Sequence, residues 1–273
     1  MKTQVHAERV LTEYAEQFAR LARQYDGTAH HSEVLEGTIN QYAAFITSDA
    51  NRGIWEELHQ SESEDRNRLI ADLRAYSARC VAIMEKIRAL KLLNGQTERT
   101  DYFDNIESCI EEEFGGFRLT ATSNVLMIGS GSFPMTPLYI AKRTGASVVG
   151  IDIDDEAIEL GQRVVERLGG GLPITLTKAF VENLPYTQQA THIIFSSTIE
   201  NKYRLLDQLH DLTNDRVVVA MRFGDRLKSL FNYPKQETDE RKWNLAEVIM
   251  RPEQVFDIAL YTKGSRGGAN EQL

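Results

Sequence analysis

In Val125-Leu-Met-Ile-Gly129-Ser-Gly131-Ser-Phe-Pro134 an apolar run ends in a glycine pair and a proline. The run reads as a β-strand buried on both faces, and a helix follows from about residue 137. Gly129 and Gly131 let the backbone turn tightly and bring its N–H groups close to a ligand with no Cβ in the way. A lone G-x-G is a weak signal, since strand-to-helix turns often need glycine for steric reasons alone.

Downstream the same alternation continues. Ser147-Val-Val-Gly-Ile-Asp-Ile-Asp154, Ile174-Thr-Leu-Thr-Lys-Ala-Phe180, Thr191-His-Ile-Ile-Phe-Ser-Ser197 and Val217-Val-Val-Ala-Met-Arg-Phe223 are short apolar strands separated by helical segments. Strands of this kind suit a parallel sheet covered by helices, a doubly wound α/β fold. The tail Phe256-Asp-Ile-Ala-Leu-Tyr-Thr-Lys263 reads as an added edge strand. Upstream, no proline precedes Pro134, and apolar residues recur at helical spacing, as in Leu69, Leu73, Tyr76, Cys80, Ile83, Ile87 and Leu90. Helices are expected over 3–25, 32–48, 53–59 and 104–114 as well. The chain therefore divides into an all-α helical bundle, residues 1–117, and a Rossmann-like α/β domain, residues 118–273.

The 273 residues are 42% hydrophobic and 26% charged, the composition of a globular protein, with a net charge of -9. An acidic balance argues against nucleic-acid binding, and no apolar run reaches the length of a membrane span. The polar first residues lack the apolar core of a secretory signal. Two cysteines, Cys80 and Cys109, make neither a disulfide framework nor a zinc site, and both fall on apolar helical stripes. The six histidines show no ligand spacing beyond the adjacent His30-His31. A cytoplasmic protein without a structural or catalytic metal is expected.

The second strand ends in Asp152, about 20 residues beyond the glycines, where this fold places an acid on a ribose diol. Asp154 suits the N-cap of the following helix. A dinucleotide site normally carries a third glycine three residues after the second, whereas here Pro134 stands in that region. Ala179-Phe-Val-Glu-Asn-Leu-Pro185 resembles the loop that encloses adenine in S-adenosylmethionine (SAM) enzymes. SAM, which has no pyrophosphate to cradle, is therefore favoured over NAD. Gly129, Ser130, Gly131, Pro134, Asp152, Ile153, Phe180, Val181 and Ser196 are the expected SAM contacts.

Ile128-Gly-Ser-Gly-Ser-Phe-Pro-Met-Thr136 resembles the first-strand signature of the nicotianamine synthase family, and Tyr102-Phe-Asp-Asn105-Ile resembles its tyrosine- and asparagine-containing stretch before the nucleotide domain. The likeness runs furthest with the bacterial branch that makes opine-type metallophores, the histidine-specific aminobutanoyltransferases of staphylopine-like biosynthesis. It covers Gly150-Ile-Asp-Ile-Asp154, Thr191-His-Ile-Ile-Phe-Ser-Ser-Thr-Ile199, Val218-Val-Ala-Met-Arg-Phe-Gly-Asp225 and Phe256-Asp-Ile-Ala-Leu-Tyr261.

The resemblance implies transfer of SAM's 3-amino-3-carboxypropyl (aminobutanoyl) arm, not its methyl group, to the α-amine of histidine, with release of 5′-methylthioadenosine. It favours D-histidine and implies a separate downstream opine dehydrogenase; a homodimer is also expected. The sulfonium activates three carbons, and geometry selects which one meets the nucleophile. A protonated amine cannot attack, and a carboxylate that holds it and takes its proton is the economical solution. The resemblance assigns that role to Glu85, in Cys80-Val-Ala-Ile-Met-Glu85, with Tyr102 beside it. Read without the resemblance, Glu85 is a surface acid paired with Lys86 or Arg88. Asn105, Ser197 and Arg222 are the expected substrate contacts, although Arg222 equally suits a structural ion pair. Glu111-Glu-Glu113 reads as a solvated helix face. Two other readings share the SAM site: a methyltransferase, and a SAM-binding regulatory module without turnover.

Overall fold

The computed structural model describes residues 2–30, 32–58, 63–96, 113 and 117–264. Four helices come first: α1 (Lys2–Gln24), α2 (Ser32–Thr47), α3 (Arg52–Leu58) and α4 (Glu64–Leu93). The expected helix over 104–114 lies outside the described residues except for Glu113, as do Tyr102, Asn105 and Cys109.

Helix α4 is 30 residues long, and its sequence explains both ends. The Ser63 side chain accepts from the Arg66 N–H, and Glu64 and Asp65 place negative charge in the first turn. Lys91 closes the last turn, and Gly95 then adopts φ +79 in the left-handed region. Between these ends no residue breaks the backbone ladder. Leu73, Cys80, Met84 and Ile87 lie buried along one face, and the Cys80 Sγ sits 3.4 Å from the carbonyl oxygen of Phe18 on α1.

The second half contains β1 (Asn124–Ile128), α5 (Met135–Thr144), β2 (Ser147–Asp152), α6 (Asp155–Leu168), β3 (Ile174–Lys178), α7 (Tyr186–Gln189), β4 (His192–Phe195), α8 (Lys202–Leu212), β5 (Val218–Phe223), β6 (Trp243–Ile249) and β7 (Asp257–Lys263). The strands form one sheet in the order β3-β2-β1-β4-β5-β7-β6. The first five are parallel, while β7 pairs antiparallel with β5 and β6 pairs antiparallel with β7. The sheet is therefore mixed, and the tail strand is not its edge. β7 has all-buried residues Asp257–Tyr261, whereas β6 takes the edge with five consecutive exposed residues. Sequence patterning missed β6 because a strand with little burial on either face shows no apolar alternation.

The helical half packs directly on one face of this sheet. A single apolar cluster joins Leu11 and Phe18 of α1, Ile39 and Tyr42 of α2, and Leu73 and Met84 of α4 to Val125, Met127, Ile194 and Ala220 of the sheet. Each fully buried side chain of this size contributes about 1.5–3 kcal/mol. Tyr42 adds a polar tie, donating its hydroxyl to the Leu230 carbonyl at 2.9 Å while meeting the Phe231 ring edge-on. The opposite face carries Leu126, Ile128, Ile193, Phe195, Val219 and Met221, covered by Leu206 and Leu209 of α8. Among the described residues no helix is long and apolar enough to cross a membrane.

Candidate active site

A cavity of about 690 Å³ opens at the carboxyl ends of β1, β2, β4 and β5, with α4 as its opposite wall. The order β1-β4 across from β1-β2 makes this the place where successive crossovers diverge, which leaves a crevice in doubly wound sheets. The expected glycine turn forms its floor. Gly129 has φ +78 and Gly131 φ +68, conformations that other residues adopt only under strain. The Gly129 and Ser130 N–H groups both donate to the Ile151 carbonyl, at 2.9 and 3.0 Å, so the turn is anchored on β2.

Asp152 organises this turn from the next strand. One carboxylate oxygen accepts from the Gly131 N–H at 3.0 Å, and the other from the N–H groups of Ile153 at 2.8 Å and Asp154 at 3.1 Å. A carboxylate has about four acceptor sites, so one remains for a ribose hydroxyl. Asp154 is the N-cap of α6 as expected, accepting from Glu156 and Ala157. Ile153 and Phe180 line the cavity while remaining 70% and 58% exposed. Two accessible apolar side chains beside an acid and a glycine turn are the surfaces an adenosine needs. The buried Ser130 Oγ, also in the wall, has no hydrogen-bond partner among the described residues. These features fit SAM. Val181, Ser196 and Ser197 line the cavity too. Pro134 does not: it is buried at the N-cap position of α5 and packs toward Gly161. Its signal in the sequence was the start of a helix.

Glu85 enters the cavity from α4. It makes no ion pair with Lys86, whose Nζ instead lies 2.6 Å from both Asp154 and Glu156. The Glu85 carboxylate fills the position that a Cβ on Gly131 would take, so any side chain there would overlap it. Glu85 keeps some surface as part of the cavity wall, yet protein atoms crowd its carboxyl group. Burial pushes its pKa up to about 8, and the nearby Asp152 charge adds to the rise. The Ser132 N–H, Arg88 and Arg222 offset part of it. A carboxyl group tuned in this way is suited to exchanging protons with an amine.

Arg222 lines the cavity at the end of β5, but its guanidinium is already engaged. It forks onto Glu113 at 2.6 and 2.7 Å, donates to Thr136 Oγ1 at 3.1 Å, and sits 4.8 Å from the Phe256 ring centre. Glu113 is fully buried, which corrects its reading as part of a solvated face. The acid run concealed it, because a triplet of glutamates carries no mark of which member turns inward. Among the described residues no group of three or more His, Cys, Asp and Glu side chains could hold a metal ion.

No family model matches the chain. Among curated proteins, the L-histidine 2-aminobutanoyltransferase of Pseudomonas aeruginosa is 26% identical over 237 residues, which is 86% of this chain and 88% of that protein. The chain is a homologue of this transferase. The Yersinia pestis protein of the same name is 29% identical over 167 residues, 60% of this chain and 62% of the other. The fold is that of nicotianamine synthase. A point mutant of MtNAS superposes with a TM-score of 0.76 at 14% identity, over 94% of this chain and 98% of that one. MtNAS mutant in complex with S-adenosylmethionine gives 0.71 at 13% identity, over 92% and 98%. The homologues carry L-histidine in their names, whereas the sequence reading favoured the D isomer.

Proposed function

We propose that this protein is a SAM-dependent aminobutanoyltransferase that joins the 3-amino-3-carboxypropyl group of SAM to the α-amine of histidine and releases 5′-methylthioadenosine. One observation carries this reading: the partly enclosed Glu85 carboxyl group, brought by the helical half to the glycine turn and Asp152. When bound, SAM supplies an electrophilic carbon beside its sulfonium. Asp152, Ile153 and Phe180 hold the nucleoside. Gly131 lets Glu85 come close to the reacting centre. Glu85 accepts a proton from the histidine ammonium, leaving the nitrogen lone pair free to form the new C–N bond as the C–S bond breaks. Its pKa, raised to about 8 in the ligand-free protein, narrows the gap to an α-ammonium, so the proton transfer is less uphill than to an ordinary carboxylate. Tyr102 and Asn105, outside the described residues, are proposed beside this centre, and Ser197 beside the acceptor.

The names of the homologues support the L isomer of histidine. A downstream opine dehydrogenase, a homodimer, a cytoplasmic location and a division into domains at about residue 117 belong to the same proposal. The test offers SAM with each histidine isomer separately and identifies by-products by mass spectrometry. Methylthioadenosine together with an aminobutanoyl-histidine is expected. S-adenosylhomocysteine would instead mean methyl transfer, and tight SAM binding without turnover a regulatory module.

A further inference from the structure

Lys202, the first residue of α8, is fully buried, an unusual position for an ammonium group. Its Nζ donates to the Ser197 carbonyl at 3.1 Å and to the Arg222 carbonyl at 2.6 Å. Ser197 lies just beyond β4 and Arg222 at the end of β5, and both line the cavity. The charged side chain that acts on this ammonium is another cation. Arg74 of α4 adds positive charge, and the Tyr233 ring centre lies 5.7 Å from the Arg74 guanidinium and 5.9 Å from the Lys202 Nζ. Glu200, in the turn before α8, is exposed.

We propose that Lys202 is a positioning residue for the acceptor, clamping the ends of β4 and β5 through two main-chain carbonyls so that Ser197 and the Arg222–Glu113 pair form one rigid wall. The β4–β5 pairing ends at Phe195 and Met221, and a lysine side chain with several N–H donors joins the two carbonyls that follow. Burial, with Arg74 adding to it, lowers the Lys202 pKa to about 7. A neutral amine still carries two N–H donors for the two carbonyls, so the clamp holds on either side of neutrality. The SAM contacts proposed at the ends of β1 and β2 and beyond β3 make no hydrogen bond with Lys202, and only Ser196 adjoins the clamped segment.

This inference rests on the aminobutanoyltransferase reading, and the wild-type assay separates the two: no methylthioadenosine from wild-type protein with SAM and histidine defeats that reading first. With turnover in hand, Lys202→Met and Lys202→Gln are compared with wild type for SAM affinity by calorimetry and for histidine kinetics. For Lys202→Met a rise in histidine KM or a fall in kcat of tenfold or more is expected, with SAM affinity within twofold of wild type. Lys202→Gln, which keeps an N–H donor pair, should lose less. Histidine kinetics unchanged in both variants would overturn the proposal. So would an equal loss of SAM affinity, or failure of both variants to fold, since either makes Lys202 a general support of the structure.

Discussion

The Glu85 carboxylate occupies the space that a Cβ on residue 131 would fill, joining a helix of the N-terminal half to the glycine turn that follows the first strand. Gly131 is needed there twice, for its φ of +68 and for the space that Glu85 occupies. Gly131→Ala should cost about 1–3 kcal/mol from backbone strain alone. It should also displace Glu85 and abolish most turnover. Thermal unfolding and methylthioadenosine release check both, and a variant with normal activity would show that Glu85 works from another position.

Glu85→Gln keeps the shape and removes the base. SAM binding should survive, while kcat falls by roughly 10²–10⁴-fold. In wild type, kcat/KM should decline as the pH drops through about 8, because the free protein's Glu85 is then protonated and cannot accept. Cationic ligands stabilise the carboxylate, so the acid limb of kcat should lie at lower pH than that of kcat/KM. Superimposable limbs would remove Glu85 from the proton transfer.

The same shift affects stability. The folded pKa of Glu85 lies above its unfolded value, so the folded state holds the proton more tightly. That contribution is fully present below the unfolded carboxyl pKa of about 4.3 and is lost as the pH rises through about 8. Glu85→Gln should therefore be more stable than wild type above pH 8, with the advantage shrinking toward acid. Melting temperatures of the ligand-free proteins across this range check the sign.

Glu113 and Arg222 form a buried, two-pronged ion pair. Removing either partner leaves a charge without compensation, so Glu113→Gln and Arg222→Met should each cost about 3–5 kcal/mol. The double variant should be less destabilised than the sum of the two, which a double-mutant cycle in denaturant would reveal. Additive losses would mean that the two groups act independently.

Asp152→Ala removes the acceptor proposed for the ribose and three backbone contacts at once. SAM affinity should fall by roughly 1.5–3 kcal/mol. Asp152→Asn retains one acceptor oxygen and should lose less. Unchanged affinity in calorimetry would leave Asp152 as a brace of the turn alone.

What could be read from the residues was whatever repeats or turns within a few positions. Apolar runs marked all five parallel strands, helical spacing marked α1 to α4, and the pair Gly129 and Gly131 with Asp152 marked the crevice, because backbone conformation and burial pattern are local properties. Three features escaped: β6, whose exposure on an edge erased its pattern; Glu113, hidden in an acidic triplet; and Lys202, unremarkable among other lysines. The roles of the last two come from contacts that only the folded sheet makes, Glu113 with Arg222 109 residues on and Lys202 with the ends of two adjacent strands. Glu85 belongs partly to each category: a family likeness singled it out, but its raised pKa arises only where α4 packs on the sheet and withdraws the carboxyl group from water beside Asp152. Desolvation and charge proximity depend on distance through space, and folding alone sets that distance.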